Sequence, residues 1–488
     1  MDPQTAPGAD SVTMALDQQR NWDISMAENL EHIRSKASGD SQRDSTVTEQ
    51  AAATREWQGD PIYLPDEILV HILSYTSPRT LASCCRLSRQ WYRAAVGPLY
   101  AYPVLSGRNF DLFARTISPS INLHVRDSPL ASLVKRLNMA TLVHQGSNSL
   151  TARLLRRTRG SLEEFVAPQA SFAVNCLAPL SKATELRSLD LSLVSESPPL
   201  HELLNRLSHL EKLKHLRLPR SAGFGVHQEA TTLSWPPNLE DLCLSGGIDS
   251  HFVYGIVALP ASLRHLSIEH CPQAKSHALN YFLGKAVRPL KNLECLKIQH
   301  MPRLGSHALD GLLCSLPQLK RLSVSVDYIT PAIFEEGHFN HDPVTYVALS
   351  NDPDPKAGDA AAPEAVITNV DALRNHALQV LELTSSGGSG IEDKLTPIDI
   401  ILALEEGSLP RLRKVRVDKS LHWHSNATAG DVDALTDVLY DASKRDWMRA
   451  RGMSEEADVE NVGEEGVDKP WESKKPWERE AGVWLLDR

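Results

Sequence analysis

The chain has 488 residues, a formal net charge of −10 and 42% apolar residues. That length leaves room for two or three domains with a sizeable core, and the negative charge argues against a binder of nucleic-acid phosphates. Seven scattered cysteines without a C-x-x-C pair read as reduced thiols, and no apolar run reaches the roughly eighteen residues of a membrane span.

The opening MDPQTAPGADSV has neither a basic nor an apolar signal region, so a secretory leader is not expected. Residues 1–60 are rich in Ala, Ser, Thr, Gln and Asp and read as a disordered tail. Together with the thiols, this places the expected site of action in the cytoplasm, the nucleus or both.

Residues 61–105 form a small helical module, centred on LPDEILVHILSYTSPRTLASCCRLSRQW (64–91). Pro65 suits a first helical position, and Asp66 and Glu67 suit the positive end of the helix dipole. Ile68, Leu69, Ile72 and Leu73 then form two adjacent apolar stripes. Ser77-Pro78 opens a second helix through Leu81, Cys84, Cys85 and Leu87, and Ser88 is positioned to cap a third that carries Trp91. Three short helices cannot bury that much apolar surface alone, so a fused domain or a partner is expected.

The order Leu-Pro-acid-Glu-Ile-Leu, a polar break, then Cys-Arg-Leu-Ser-x-x-Trp resembles the F-box, and the trailing PLYAYPVL resembles fungal members. The resemblance implies docking on the small adaptor of cullin-type ubiquitin ligases. It places the adaptor contacts on Leu64, Pro65, Ile68, Leu69, Ile72, Leu81, Leu87 and Trp91. The alternative is a scaffold outside any ligase, in which the module merely caps the following domain. A cap needs one apolar face and a docking module two, so the paired stripes favour docking.

Residues 106–130 are expected to be a linker helix with Phe110, Phe113 and Ile117 on one face. From 131 to 425 a hexapeptide L-x-x-L-x-L recurs, as LRSLDL (186–191), LKHLRL (213–218), LEDLCL (239–244), LRHLSI (263–268), LECLKI (293–298), LKRLSV (319–324), LQVLEL (378–383) and LRKVRV (412–417). VKRLNM (134–139) and LEEFVA (162–167) are looser copies. Up to residue 319 the copies start 24 to 30 residues apart. That period defines a leucine-rich-repeat array, an α/β repeat solenoid or horseshoe with parallel strands on its concave face. Between strands, Leu200, Leu203, Leu204 and Leu207 show the helical period. The period breaks after 324. VTYVAL (344–349) reads as a further repeat, and the Pro-, Asp- and Ala-rich stretch within 350–368 as a flexible insertion. SSGGSG (385–390) reads as a second flexible loop. Residues 426–452 read as a C-terminal capping helix. Residues 453–488 form an acidic tail with two Lys-Pro-Trp-Glu copies, whose apolar end VWLL (483–486) favours folding back on the array.

Motifs of the common hydrolases, metalloproteases and nucleotide-binding loops are absent. The expectation is therefore a receptor subunit with no catalytic residue, metal or cofactor. His270-Cys271 and His300 recur at equivalent turns, as do His277 and His307; a zinc site and a surface histidine ladder both fit that spacing. Outward strand positions run Arg136, Asp190, His215, Arg217, Asp241, His265, Glu269, Lys297, Gln299, Arg321, Lys414 and Arg416, with no aromatic among them. A protein substrate is expected at His265, Glu269, Lys297, Gln299 and Arg321, with Lys297 and Arg321 reading local acidic or phosphate charge.

Overall fold

A computed structural model describes residues 64–119, 128–142, 147–196, 198–220, 233–246, 248, 252–253, 258–335, 373–385, 394–425, 427–452, 477–478 and 481–486. The described fold lies within the unit 65–488. The expected tail at 1–60, the insertion at 350–368, VTYVAL, most of SSGGSG and the first Lys-Pro-Trp-Glu copy lie outside the described residues.

Three helices open this unit: α1 (Asp66–Ser74), α2 (Pro78–Cys84) and α3 (Arg89–Ala101). Pro65 is the residue before α1, one place earlier than expected; the proline at a first helical position is Pro78. There Ser77 Oγ accepts from Thr80 N at 3.2 Å, and Ser88 Oγ accepts from Trp91 N at 3.3 Å, so both serines are N-caps. Leu69, Leu73, Leu81, Cys84, Ala94, Ala95 and Ala101 are buried in the module's helices. Gln90 Nε2 donates to Asp66 Oδ1 at 2.9 Å, fastening α3 to the start of α1.

Helix α4 (Arg108–Ile117) turns Phe110, Phe113, Ala114 and Ile117 inward. These residues open a continuous core that runs on through Leu137, Leu189 and Leu266 to Leu439. Leu69, Leu73 and Leu81 are not part of it. The chain crosses into the array through Lys135 N donating to Ala101 O at 3.0 Å and Thr141 Oγ1 donating to Leu105 O at 2.6 Å. The N-terminal end of the array is thus closed by α4 together with the end of α3, where Tyr100 packs against the same core.

The array is one sheet of eleven parallel strands in sequence order, β1 to β11. All ten leucine hexapeptides supply strands: β1 (Arg136–Asn138), β2 (Glu164–Val166), β3 (Ser188–Asp190), β4 (His215–Arg217), β5 (Asp241–Ser245), β6 (His265–Glu269), β7 (Cys295–Gln299), β8 (Arg321–Ser325), β9 (Val380–Thr384) and β10 (Lys414–Asp418). Their leucines are in register, Leu266 facing Leu296 and Leu296 facing Leu322. Because the side-chain period of a strand is two, residues between the buried leucines point away from the core. Helices α5 (Asn148–Thr158), α6 (Leu200–Leu207) and α7 (Ser276–Phe282) return the chain between strands, and all four leucines of α6 are buried.

Just after the strand, Gly246 (φ 81°), His270 (φ 54°) and His300 (φ 54°) take left-handed backbone at corresponding turns. A glycine adopts this conformation without steric cost, whereas a histidine does so at some cost.

The C-terminal end departs from the expectation in two ways. Arg321 of β8 is the register partner of Val380 of β9, so no strand from VTYVAL lies between them. The array also does not stop at β10. Beyond α8 (Pro397–Glu405) and β10, α9 (Ala429–Ala450) leads to β11 (Gly482–Leu486), which pairs parallel with β10. Helix α9 is therefore a crossover rather than a terminal cap, and VWLL of the tail is a strand. Trp477 packs on Trp447 and Met448 of α9, and its carbonyl accepts from Ser443 Oγ at 3.0 Å.

Candidate docking and receptor surfaces

The two stripes of α1 have opposite fates. Leu69 and Leu73 are 2% and 1% exposed, whereas Ile68 and Ile72 remain 47% and 46% exposed. Val70 on the same helix and Tyr75 just after it are exposed, as are Leu87 and Tyr92 on the following segments. Of the eight residues expected to touch an adaptor, Pro65, Ile68, Ile72 and Leu87 are exposed, and Leu64 and Trp91 half-buried. Leu69 and Leu81 correct the expectation. Both are buried among the module's own helices and shape its surface from beneath, because α1 must turn one stripe inward to pack on α3. Cys84 is buried, and burial followed by the neighbouring Cys84 raises the Cys85 thiol above its ordinary range.

On the strand face, outward side chains form rows across the sheet. One runs His215, Asp241, His265, Cys295, Arg321, Val380 and Lys414; its neighbour runs Asp190, Arg217, Cys243, Ser267, Lys297, Ser323, Glu382, Arg416 and Trp484. Much of their charge is cancelled across strands. Arg136 pairs with Glu164 at 3.2 Å, Arg217 with Asp190 at 3.8 Å, Lys297 with Glu269 at 2.9 Å and Arg416 with Glu382 at 2.7 Å. Opposed charges on adjacent strands stabilise the sheet modestly and lower the field it presents.

The expected substrate residues divide accordingly. His265 and Arg321 are exposed, and Arg321 makes no ion pair among the described residues. Glu269 and Lys297 are half-buried partners of each other. Gln299 corrects the expectation. It is only 2% exposed, and its Nε2 donates to Ser323 Oγ at 2.9 Å inside the sheet. Two outward cysteines, Cys243 and Cys295, share these rows. Burial pushes the Cys243 thiol up to about 12, with Glu269 adding to it, so it is a poor nucleophile.

The outward side chain that strand reading missed is Trp484. Strand β11 sets it beside Arg416, 40% exposed, with Lys414 Nζ 5.1 Å from its ring centroid. The face therefore does end in an aromatic residue, held by a cation–π contact. The only signal was the short apolar run VWLL, which lacks the leucine spacing of the other strands.

His270 and His300 stack at 4.2 Å between ring centroids. Cys271 beneath them is buried, its thiol directed to Glu269 O at 3.3 Å and pushed up to about 12 by burial. His307 meets Asp310 at 3.0 Å instead of completing a cluster. Among the described residues no three His, Cys, Asp or Glu side chains converge as a metal site.

A helical module with one stripe buried and one open, joined to a parallel-strand solenoid, defines a class of two-part binding protein. Residues 62–106 match the F-box-like family. F-box protein YDR306C of Saccharomyces cerevisiae is 30% identical over 362 residues, covering 73% of this chain and 66% of that protein. Protein pof5 of Schizosaccharomyces pombe is 26% identical over 387 residues, covering 79% and 97%. The chain thus spans just under two thirds of the length of the first relative and nearly all of the second. A chain from the crystal structure of the Rad7 and Elc1 complex in yeast aligns over 85% of this chain and 94% of that one, at 14% identity and a TM-score of 0.37, too distant a likeness to bear on function. The chain is an F-box protein of fungal type.

Proposed function

We propose that this protein is the substrate-recognition subunit of a Skp/cullin/F-box ubiquitin ligase. The observation that carries the reading is the division of α1, with Leu69 and Leu73 closing the module and Ile68 and Ile72 left to meet a partner. A module serving only as a cap would have no use for the second stripe. The small cullin adaptor binds this open stripe. A protein substrate lies on the strand face, anchored at its C-terminal end where Arg321, Val380, Lys414 and Trp484 come together. The subunit performs no bond chemistry; it raises the effective concentration of substrate lysines near a ubiquitin-conjugating enzyme. All seven cysteines are free thiols, which suits work in the cytoplasm or nucleus.

The test is affinity purification with mass spectrometry, comparing wild type with Trp484→Ala. Wild type is expected to recover adaptor, cullin and a set of non-ligase proteins that grows when the proteasome is blocked. Truncation of an exposed interface tryptophan typically costs about 2 kcal/mol or more, roughly 30-fold in affinity, so the variant should lose that set and keep the adaptor. Absence of adaptor and cullin from the wild-type sample would overturn the ligase assignment. An unchanged non-ligase set with Trp484→Ala would remove the substrate from this end of the face.

A further inference from the structure

In a chain of net charge −10, one cavity is lined by four arginines and a single carboxylate. It has a volume of about 530 Å³ and lies where the turns before β9 and β10 meet the last turns of α9. Arg374 comes from the first turn, Arg411 and Arg413 from the second, and Asp446 and Arg449 from the helix. The backbone ties these segments together. Leu409 N donates to Leu373 O at 3.0 Å, Arg413 N donates to Gln379 O at 3.1 Å, and Gly482 N of β11 donates to Arg413 O at 2.9 Å.

The arginines are not equivalent. Arg413 is largely buried and fixed: its guanidinium donates to Pro410 O at 2.8 Å, Leu412 O at 2.7 Å and, through Nε, Asp446 Oδ2 at 3.0 Å. Arg449 lies 3.8 Å from the same carboxylate. Arg374 and Arg411 are exposed, and neither makes an ion pair among the described residues. Among the described residues one carboxylate is thus shared between two guanidiniums while two more have no carboxylate partner, which leaves a local surplus of positive charge in a concave, half-open space. Guanidinium groups donate in a fixed fork that matches phosphate oxygens, and several around one hollow suit a multiply charged anion. The volume falls within the roughly 300–1,000 Å³ of small-molecule sites and exceeds what a lone phosphate would fill.

We propose that this cavity is a binding site for a phosphate-bearing ligand, with Arg374 and Arg411 as the capturing residues and Arg413 as the fixed floor. The lining residues all lie outside the F-box module. The phosphates come either from a free polyphosphorylated small molecule or from a phosphorylated side chain of a bound protein, and the test separates the two.

Inorganic tripolyphosphate, a phosphoserine peptide and its unphosphorylated counterpart would be titrated calorimetrically into the full chain at low and high salt. Saturable binding that weakens with salt is expected for one or both phosphate probes. A hydrogen-bonded charge contact is worth about tenfold or more, so Arg374→Gln with Arg411→Gln should weaken binding by about 100-fold. Both residues are exposed, so an unchanged thermal melt shows that the fold is intact. Asp446→Asn should strengthen binding, a gain no folding defect produces, since Arg413 stays held by two carbonyls. Tighter binding of tripolyphosphate identifies a free ligand, and tighter binding of the phosphopeptide a protein-borne one. Equal affinity in the double variant, equal binding of both peptides with none of tripolyphosphate, or no binding of any probe would overturn the proposal.

Discussion

Replacing Ile68 and Ile72 together by serine tests whether the open stripe of α1 is a docking surface. Full burial of an isoleucine side chain stabilises by about 1.5–3 kcal/mol. The two residues are 47% and 46% exposed, so roughly half of that gain is still available to a partner at each position. The pair should therefore contribute about 2 kcal/mol to docking, which corresponds to roughly 30-fold in Kd. Serine and isoleucine have similar helix propensities, so α1 itself should persist. Leu69→Ala, at a 2% exposed position, is the contrasting change; it should cost about 2–5 kcal/mol of module stability. The assay is calorimetric titration of the purified adaptor into each variant, beside a thermal melt. The reasoning is refuted if the double serine variant binds the adaptor within threefold of wild type, or if it melts as early as Leu69→Ala.

Two further outcomes follow from the core. Leu266→Ala or Leu296→Ala, at facing buried positions, should each cost about 2–5 kcal/mol, whereas His265→Ala on the exposed face should cost well under about 1 kcal/mol in denaturant melts; similar losses at 265 and 266 would mean a wrong strand register. Burial holds the ring of His376 neutral and pulls its pKa down to about 4, its Nδ1 accepting from Leu378 N at 3.0 Å. The unfolded chain therefore takes up a proton before the folded one does. Stability should be complete above the unfolded value of about 6.5 and fall by about 3 kcal/mol as pH drops towards 4, and His376→Phe should flatten that slope; an unchanged slope would show that another group carries it.

What the sequence made legible was whatever repeats or alternates. The leucine hexapeptides carry two buried positions two residues apart in each unit, and ten copies leave little freedom of register. The stripes of α1 were equally open to reading, because Ile68 and Ile72 sit one turn apart and Leu69 and Leu73 beside them. Features that depend on neighbours distant in sequence were not legible. Whether Gln299 faces solvent is decided by Ser323 of the next strand, and whether Lys297 is available is decided by Glu269 of the previous one. VTYVAL has a strand's pattern, yet β8 and β9 are already paired, and no property of the hexapeptide could reveal that. Strand β11 is the reverse case. Its sequence lacks the repeat spacing, and its place is set by parallel pairing with the edge of β10.

The two ends of the solenoid are closed by different means, and this bears on how its parts act together. A repeat array buries its leucines only against neighbours, so each end exposes a row that something must cover. At the N-terminal end Phe110, Phe113 and Ile117 of α4 do so, and the same helix leads directly from the F-box module. At the C-terminal end β11 covers Val415 and Val417, which are fully buried, but leaves its own Leu485 48% exposed. The strand that completes the core is thus the one that brings Trp484 to the outward face and closes its backbone on Arg413 beside the arginine-lined cavity. The same strand thus closes this end and positions the groups proposed to bind there. Because solenoid coupling passes from neighbour to neighbour, a lesion at Leu266 in β6 should loosen the middle while α4 and β11 each keep their own contacts.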